Sequence, residues 1–194
     1  MSTLFPAFLK LEGRPVLVVG GGPVAAGKLP GLLDAGARIT VVAPEVRPEV
    51  EHPDVRVERR AFRSSDLDGV FLAIAAATPE VNREVSVAAE ARRVFVNAVD
   101  DVASASVYLG GVLRRGGVTF AISTDGQAPA LAGLLREALE AVIPDELETW
   151  VAEARRVRAR QKAERLPMSE RRPLLLQALN RLYADRAAAV PVRS

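Results

Sequence analysis

The sequence predicts an α/β fold: a parallel sheet with helices on both faces, then a hairpin-and-helix region and a C-terminal helical segment. Three observations carry this. Short, nearly continuous apolar runs such as "RPVLVVG" (Arg14 to Gly20) have the pattern of strands buried on both sides. They alternate with longer stretches of helical periodicity, which sets successive strands parallel. After Asp100 the alternation stops, and two β-rich runs flank the turn signal "RRGG", a hairpin pattern.

Each element follows from its own residues. Behind the first strand a helix is expected from about Val24 to Ala35, ending at Gly36, which can take the left-handed conformation that terminates helices. "RITVVA" is the second strand, and "VRVERRAF" (Val55 to Phe62) alternates as a third. "VFLAIAAAT" (Val70 to Thr78) is a fourth, buried strand, and Pro79 opens the helix "PEVNREVSVAAEARR". "VFVNAVD" gives a fifth strand. Ser106 to Leu113 and Val118 to Thr124 form the hairpin. Leu131, Leu134, Leu135, Ala138, Leu139 and Val142 then recur at helical spacing. "PDELETWVAEARRVRARQKAERL" and "PLLLQALNRLYADRAAAV" read as two further helices. The expected division is 1–110 for the sheet domain, 111–144 for the hairpin and the helix after it, and 145–194 for the helical segment.

Composition narrows the chemistry. With 194 residues, 49% hydrophobic and 26% charged, the chain can build a core. It has no cysteine, which excludes disulfides and thiolate chemistry, and its one histidine, His52, lies in a polar stretch and cannot form a metal cluster alone. No metal site is therefore expected. Neither a membrane span nor a secretory leader is evident in the sequence, so a cytoplasmic location is expected. The net charge is only +2. The arginines between Arg155 and Arg165 read as a solvated helix face, not a nucleic-acid surface.

The first strand leads into Gly20-x-Gly22-x-x-Ala25. Glycines there let the backbone turn tightly and approach a pyrophosphate, while the helix start offers free N–H groups and a positive dipole end. Strand before, helix after and second strand beyond make this the Rossmann type of dinucleotide turn. The acidic residue that would hold the ribose hydroxyls should end the second strand, but Val42 and Ala43 stand there. Glu45, after Pro44, can reach the ribose from the loop and favours NAD; Arg47 would instead favour a 2′-phosphate.

Four stretches together resemble a known family: "FPAFLKLEGRPVLVVGGGPVAAGK", "LLDAGARITVVAPE", "FLAIAAATPEVNREVSVAAEARRVFVNAVDD" and "FAISTDGQAPALAGLLREALE". They are similar to the precorrin-2 dehydrogenase and sirohydrochlorin ferrochelatase family, which is also the N-terminal part of sirohaem synthases. The resemblance runs from about Leu4 to Pro144. No uroporphyrinogen methyltransferase domain follows in this sequence, so the stand-alone form is expected.

The resemblance implies that NAD⁺ oxidises precorrin-2, a tetrapyrrole, to sirohydrochlorin, and that some members then insert ferrous iron to give sirohaem. It also implies a homodimer in which the region after the nucleotide domain is interleaved. It carries the cofactor contacts onto Gly22, Pro23, Val24, Pro44 and Glu45, beside Gly20 of the turn. Dehydrogenation needs a base. Asp100, just past the fifth strand, is the candidate and matches the family's aspartate; Asp101 is better placed as a cap for the next segment. A polycarboxylate substrate calls for arginines, and Arg114, Arg115 and Arg136 lie in the appended region. Thr124 stands in the substrate loop where the family commonly has serine, and Asp125 where glycine is common. Two other readings stay open: a non-catalytic NAD-sensing module, and a dehydrogenase of another polycarboxylate.

Overall fold

In a computed structural model of the protein, which describes residues 4–99, 101 and 103–189, the chain divides into two compact units. One comprises 1–109 with 125–127, the other 110–124 with 128–194.

The first unit is built on five parallel strands: β1 (Pro15–Val19), β2 (Arg38–Ala43), β3 (Val55–Arg59), β4 (Leu72–Ala75) and β5 (Phe95–Ala98). Their order is β3-β2-β1-β4-β5, the arrangement of a Rossmann half-sheet. Val16 pairs with Ile39 on one side and Leu72 on the other, so β1 is the central strand. Alternation along the strands explains why apolar runs were needed. Val16 and Val18 pack with Leu29 and Leu32 of α1 (Pro23–Asp34). Leu17 and Val19 pack on the opposite face with Val85 and Ala89 of α2 (Pro79–Ala91). Both faces are therefore buried, and side chains of successive residues serve different layers.

Strand ends differ from the sequence expectation. β3 stops at Arg59 and β4 covers only Leu72–Ala75. Beyond those points the chain leaves the ladder to make turns, as where the Arg60 guanidinium turns to the carboxylate of Asp66 at 2.8 Å on each nitrogen. Ser106 and Val107 were expected in the hairpin. Instead their N–H groups donate to the Val96 carbonyl at 2.9 and 3.0 Å, which lashes this stretch to β5.

The second unit holds the antiparallel hairpin β6 (Gly111–Arg115) and β7 (Val118–Ile122), then α3 (Pro129–Val142), α4 (Leu147–Ala163) and α5 (Met168–Ala189). Gly116 and Gly117, with φ of +55° and +78°, make the two-residue turn, for which positive φ at both positions matches the strand twist. A Cβ on Gly116 would lie 2.6 Å from the Glu148 nitrogen, so the hairpin tip sits against the start of α4. The last helix begins before Pro173, not at it; one missing N–H near the amino end of a long helix is tolerated. Among the described residues, no helix is long and apolar enough to cross a membrane.

Candidate functional site

The strand order reverses between β1 and β4, and ligands of open α/β sheets lie outside the carboxyl ends of strands at such a point. The three glycines after β1 occupy it, each with a different task. Gly20 has φ of +125°, and a Cβ there would come within 2.6 Å of the Ala76 carbonyl carbon. Only glycine allows β1 to leave the sheet so close to the end of β4. A Cβ on Gly21 would come within 2.8 Å of Val46 Cα, and the Gly21 carbonyl accepts the Arg47 N–H at 3.0 Å. Gly21 thus seats the loop after β2. Sequence reasoning left this position as an arbitrary residue of the motif; the triple glycine was the signal.

Gly22 is different. Its φ is −86° and a Cβ would meet nothing within 4 Å. It is the N-cap of α1, with Pro23 at the first position and the first return bond from the Ala26 N–H to the Gly22 carbonyl at 3.0 Å. Helix geometry therefore leaves the N–H groups of Val24 and Ala25 pointing beyond the helix start. Proline contributes no N–H, and its fixed φ suits the first turn. Open space at Gly22 and amide donors facing it fit the pyrophosphate of a dinucleotide.

Pro44 and Glu45 are exposed just past β2, at the same end of the sheet. Arg47 is also exposed, and its guanidinium faces Glu49 at 3.2 Å. That contact, with a backbone contribution, holds the Glu49 carboxyl below its ordinary pKa.

Past β4, the Ala76 N–H donates to Val19 at 2.8 Å and the Ala77 N–H to Asn82 Oδ1 at 2.9 Å. Near the end of β5, Asn97 Nδ2 donates to the Val107 carbonyl at 2.9 Å, a strand-end role. Asp100 lies outside the described residues. Asp101 Oδ1 accepts the Ser104 N–H at 3.2 Å, as a cap does. Hydrogen bonds from Ser104, side chain first, keep the Asp101 carboxyl below its ordinary pKa.

The four residues expected to bind substrate belong to the second unit and do not form a cluster of free cations there. Arg114 is exposed on β6. Arg115 is half-buried, donates to the Ile143 carbonyl at 2.5 Å and faces Asp145 at 3.6 Å, tying the hairpin to the end of α3. Arg136 pairs with Glu140 at 2.8 Å and Glu137 at 3.3 Å. Thr124 Oγ1 accepts the Ala128 N–H at 3.2 Å and so holds the loop before α3. Among the described residues, no group of three or more His, Asp or Glu is placed to hold a metal ion.

Comparison with known proteins agrees with this architecture. The family model described as "Putative NAD(P)-binding" matches residues 7–111. A siroheme synthase of Photorhabdus laumondii is 41% identical over 184 residues, which is 92% of this chain and 39% of that protein. Siroheme synthase 3 of Aeromonas hydrophila is 44% identical over 172 residues, 86% of this chain and 37% of its own length. The chain thus spans well under half of these curated relatives. Among solved structures, SirC, a precorrin-2 dehydrogenase, superposes with a TM-score of 0.69 at 27% identity, covering 90% of this chain and 88% of that one. With a family model that spans more than half of its length and the glycine turn that such a site requires, the chain belongs to the NAD(P)-binding family of Rossmann-type proteins.

Proposed function

We propose that the protein is an NAD-dependent dehydrogenase that oxidises precorrin-2 to sirohydrochlorin in sirohaem biosynthesis. The observation that carries this reading is the likeness to the precorrin-2 dehydrogenase SirC, which extends beyond the nucleotide unit to 90% of this chain. The siroheme synthase relatives support the same substrate class.

In this reading the first-turn N–H groups of α1 hold the pyrophosphate over Gly22, and the Glu45 carboxylate takes the ribose hydroxyls. NAD is favoured over NADP because Arg47 already faces Glu49 and is not held ready for a 2′-phosphate. The bound nicotinamide supplies the hydride acceptor. Asp100, two residues after Ala98 at the end of β5, takes the proton that leaves the substrate as the hydride departs. Arg114 and Arg136 are the candidates for substrate carboxylates; Arg115 and Thr124 act by shaping the hairpin and the loop before α3. The active form is a homodimer joined through α3, working in the cytoplasm where its cofactor pool is found.

The test is direct. Precorrin-2 and NAD⁺ with the purified protein should yield NADH and the sirohydrochlorin absorbance together. Cofactor binding with no turnover would replace this reading with a sensing module. Adding ferrous iron to the completed reaction tests insertion as a second activity, read by the sirohaem spectrum.

A further inference from the structure

Asn82 lies in the first turn of α2 and is only 4% exposed. It shares the inward face of that helix with Val85 and Ala89, both 0% exposed, a stripe where helical periodicity calls for an aliphatic residue. A buried amide is costly unless its donors and acceptors are used. Here they are used on two different segments. Oδ1 accepts the Ala77 N–H at 2.9 Å, and Nδ2 donates to the Val99 carbonyl at 3.4 Å. Ala77 follows the end of β4, on the crevice where the strand order reverses; Val99 follows the end of β5. The Val99 N–H also donates to Ala75 at 2.9 Å, so the two strand ends are already neighbours. Both partners lie outside α2, Ala77 just before its N-cap Thr78 and Val99 just after β5.

We infer that Asn82 is a positioning residue whose amide has two separable jobs. Its Oδ1 fixes the turn after β4 against the cofactor, and its Nδ2 fixes the strand end that leads in sequence to Asp100. The inference rests on the dehydrogenase reading for the second job alone. Aspartate at this position keeps the acceptor for Ala77 but sets an oxygen against the Val99 carbonyl. Alanine removes both bonds.

The test compares N82D and N82A with the unmodified full-length chain by NAD⁺ affinity, thermal midpoint, hydrogen exchange and turnover. N82A should weaken NAD⁺ binding about tenfold and speed exchange in peptides covering both 76–78 and 99–106. N82D should keep NAD⁺ affinity within about threefold, speed exchange only in 99–106, and lower kcat about tenfold with KM for NAD⁺ unchanged. Equal losses in both variants, in step with the fall in thermal midpoint, would make Asn82 a packing residue and overturn the proposal. So would an aspartate variant that loses NAD⁺ affinity, or an alanine variant unchanged in affinity and exchange. If alanine prevents folding, the split seen in N82D decides. If the unmodified protein fails to turn over precorrin-2, the dehydrogenase reading falls, while affinity and exchange still decide the role of Asn82.

Discussion

Gly20 and Ala76 meet across the point where the strand order of the sheet reverses, so closely that a Cβ on Gly20 would come within 2.6 Å of the Ala76 carbonyl carbon. Both partners there are backbone, so neither can swing aside as a side chain would. The first two glycines of the turn are thus demanded by the fold, whereas a Cβ on the third meets nothing within 4 Å and, in the proposed function, is excluded by the ligand.

That division predicts opposite outcomes along three consecutive positions. Gly20→Ala should cost at least about 2 kcal/mol, from the left-handed φ and the backbone clash together. Gly21→Ala should also destabilise, because Val46 Cα lies 2.8 Å from the new Cβ. Gly22→Val should cost only about 1 kcal/mol, the loss of a favoured N-cap residue, as its φ of −86° suits any residue and its surroundings are open. Yet it should weaken NAD⁺ binding about tenfold or more by filling the pyrophosphate approach. Urea midpoints beside calorimetric affinities separate the two classes; a Gly22→Val chain with normal affinity would refute the assignment.

Asp100→Asn tests the proposed base. Asparagine keeps the size of the side chain but cannot take up the proton, so turnover of precorrin-2 should fall about 10²-fold or more while NAD⁺ affinity holds. Unchanged turnover would assign the base to another residue.

Much of this is legible in the sequence alone. The strand runs and Pro79 placed β1, β2, β4 and α2 because burial on both faces leaves a strong apolar signature. Strand ends were less legible, since turns such as the one closed by Arg60 and Asp66 at 2.8 Å depend on a side-chain pairing six residues apart that the two-residue alternation of a strand does not display. Two residues of the proposed site were missed in different ways. Gly21 was hidden inside a motif that leaves its position unspecified. Asn82 gave one sign, a polar residue on the apolar stripe of α2, but its partners Ala77 and Val99 are set by the sheet. Arg115 was read by charge alone; its bond to the Ile143 carbonyl depends on how the hairpin meets α3.

In the proposed function, cofactor choice turns on the loop after β2. Glu45→Gln should lower NAD⁺ affinity about fivefold, the loss of a charge-assisted bond at an exposed site, and leave the weaker NADP⁺ affinity nearly unchanged. Equal loss for both cofactors would place the carboxylate away from the ribose.

Among the described residues, the best-buried ion pair, Arg60 with Asp66, predicts a pH dependence. Burial disfavours the charged Asp66 carboxylate, but two hydrogen bonds from Arg60 at 2.8 Å and one from the Arg63 N–H at 2.9 Å outweigh it and hold its pKa below the ordinary value. A carboxyl whose pKa is lowered on folding stabilises the native state above its unfolded pKa of about 4, and this is lost as pH falls through the folded value. Asp66→Asn should therefore cost about 1–2 kcal/mol at neutral pH. The gap to the unmodified protein should narrow steadily as pH falls below about 4. A gap independent of pH would assign the loss to packing.

The last prediction concerns what covers α3. Its inward face is spent on the hairpin: Ala132 is 3% exposed, and Gly111 lets β6 approach so closely that a Cβ there would lie 2.8 Å from the Ala132 carbonyl oxygen. The outward face carries Leu131, Leu134 and Leu135 at 48%, 63% and 43% exposure. Each leucine buried adds up to about 1.5–3 kcal/mol, and a two-fold axis would use each of them twice. Light scattering at micromolar concentration should thus report about twice the 20.7 kDa chain mass. Leu134→Glu with Leu135→Glu should return the mass to one chain while leaving the nucleotide unit intact, since neither leucine is buried within its own chain. NAD⁺ binding should survive this change, because the turn at Gly20–Gly22 lies wholly in the first unit. Turnover should fall if the substrate cleft needs both chains. A native protein that runs as a single chain with full activity would defeat the shared-cleft arrangement.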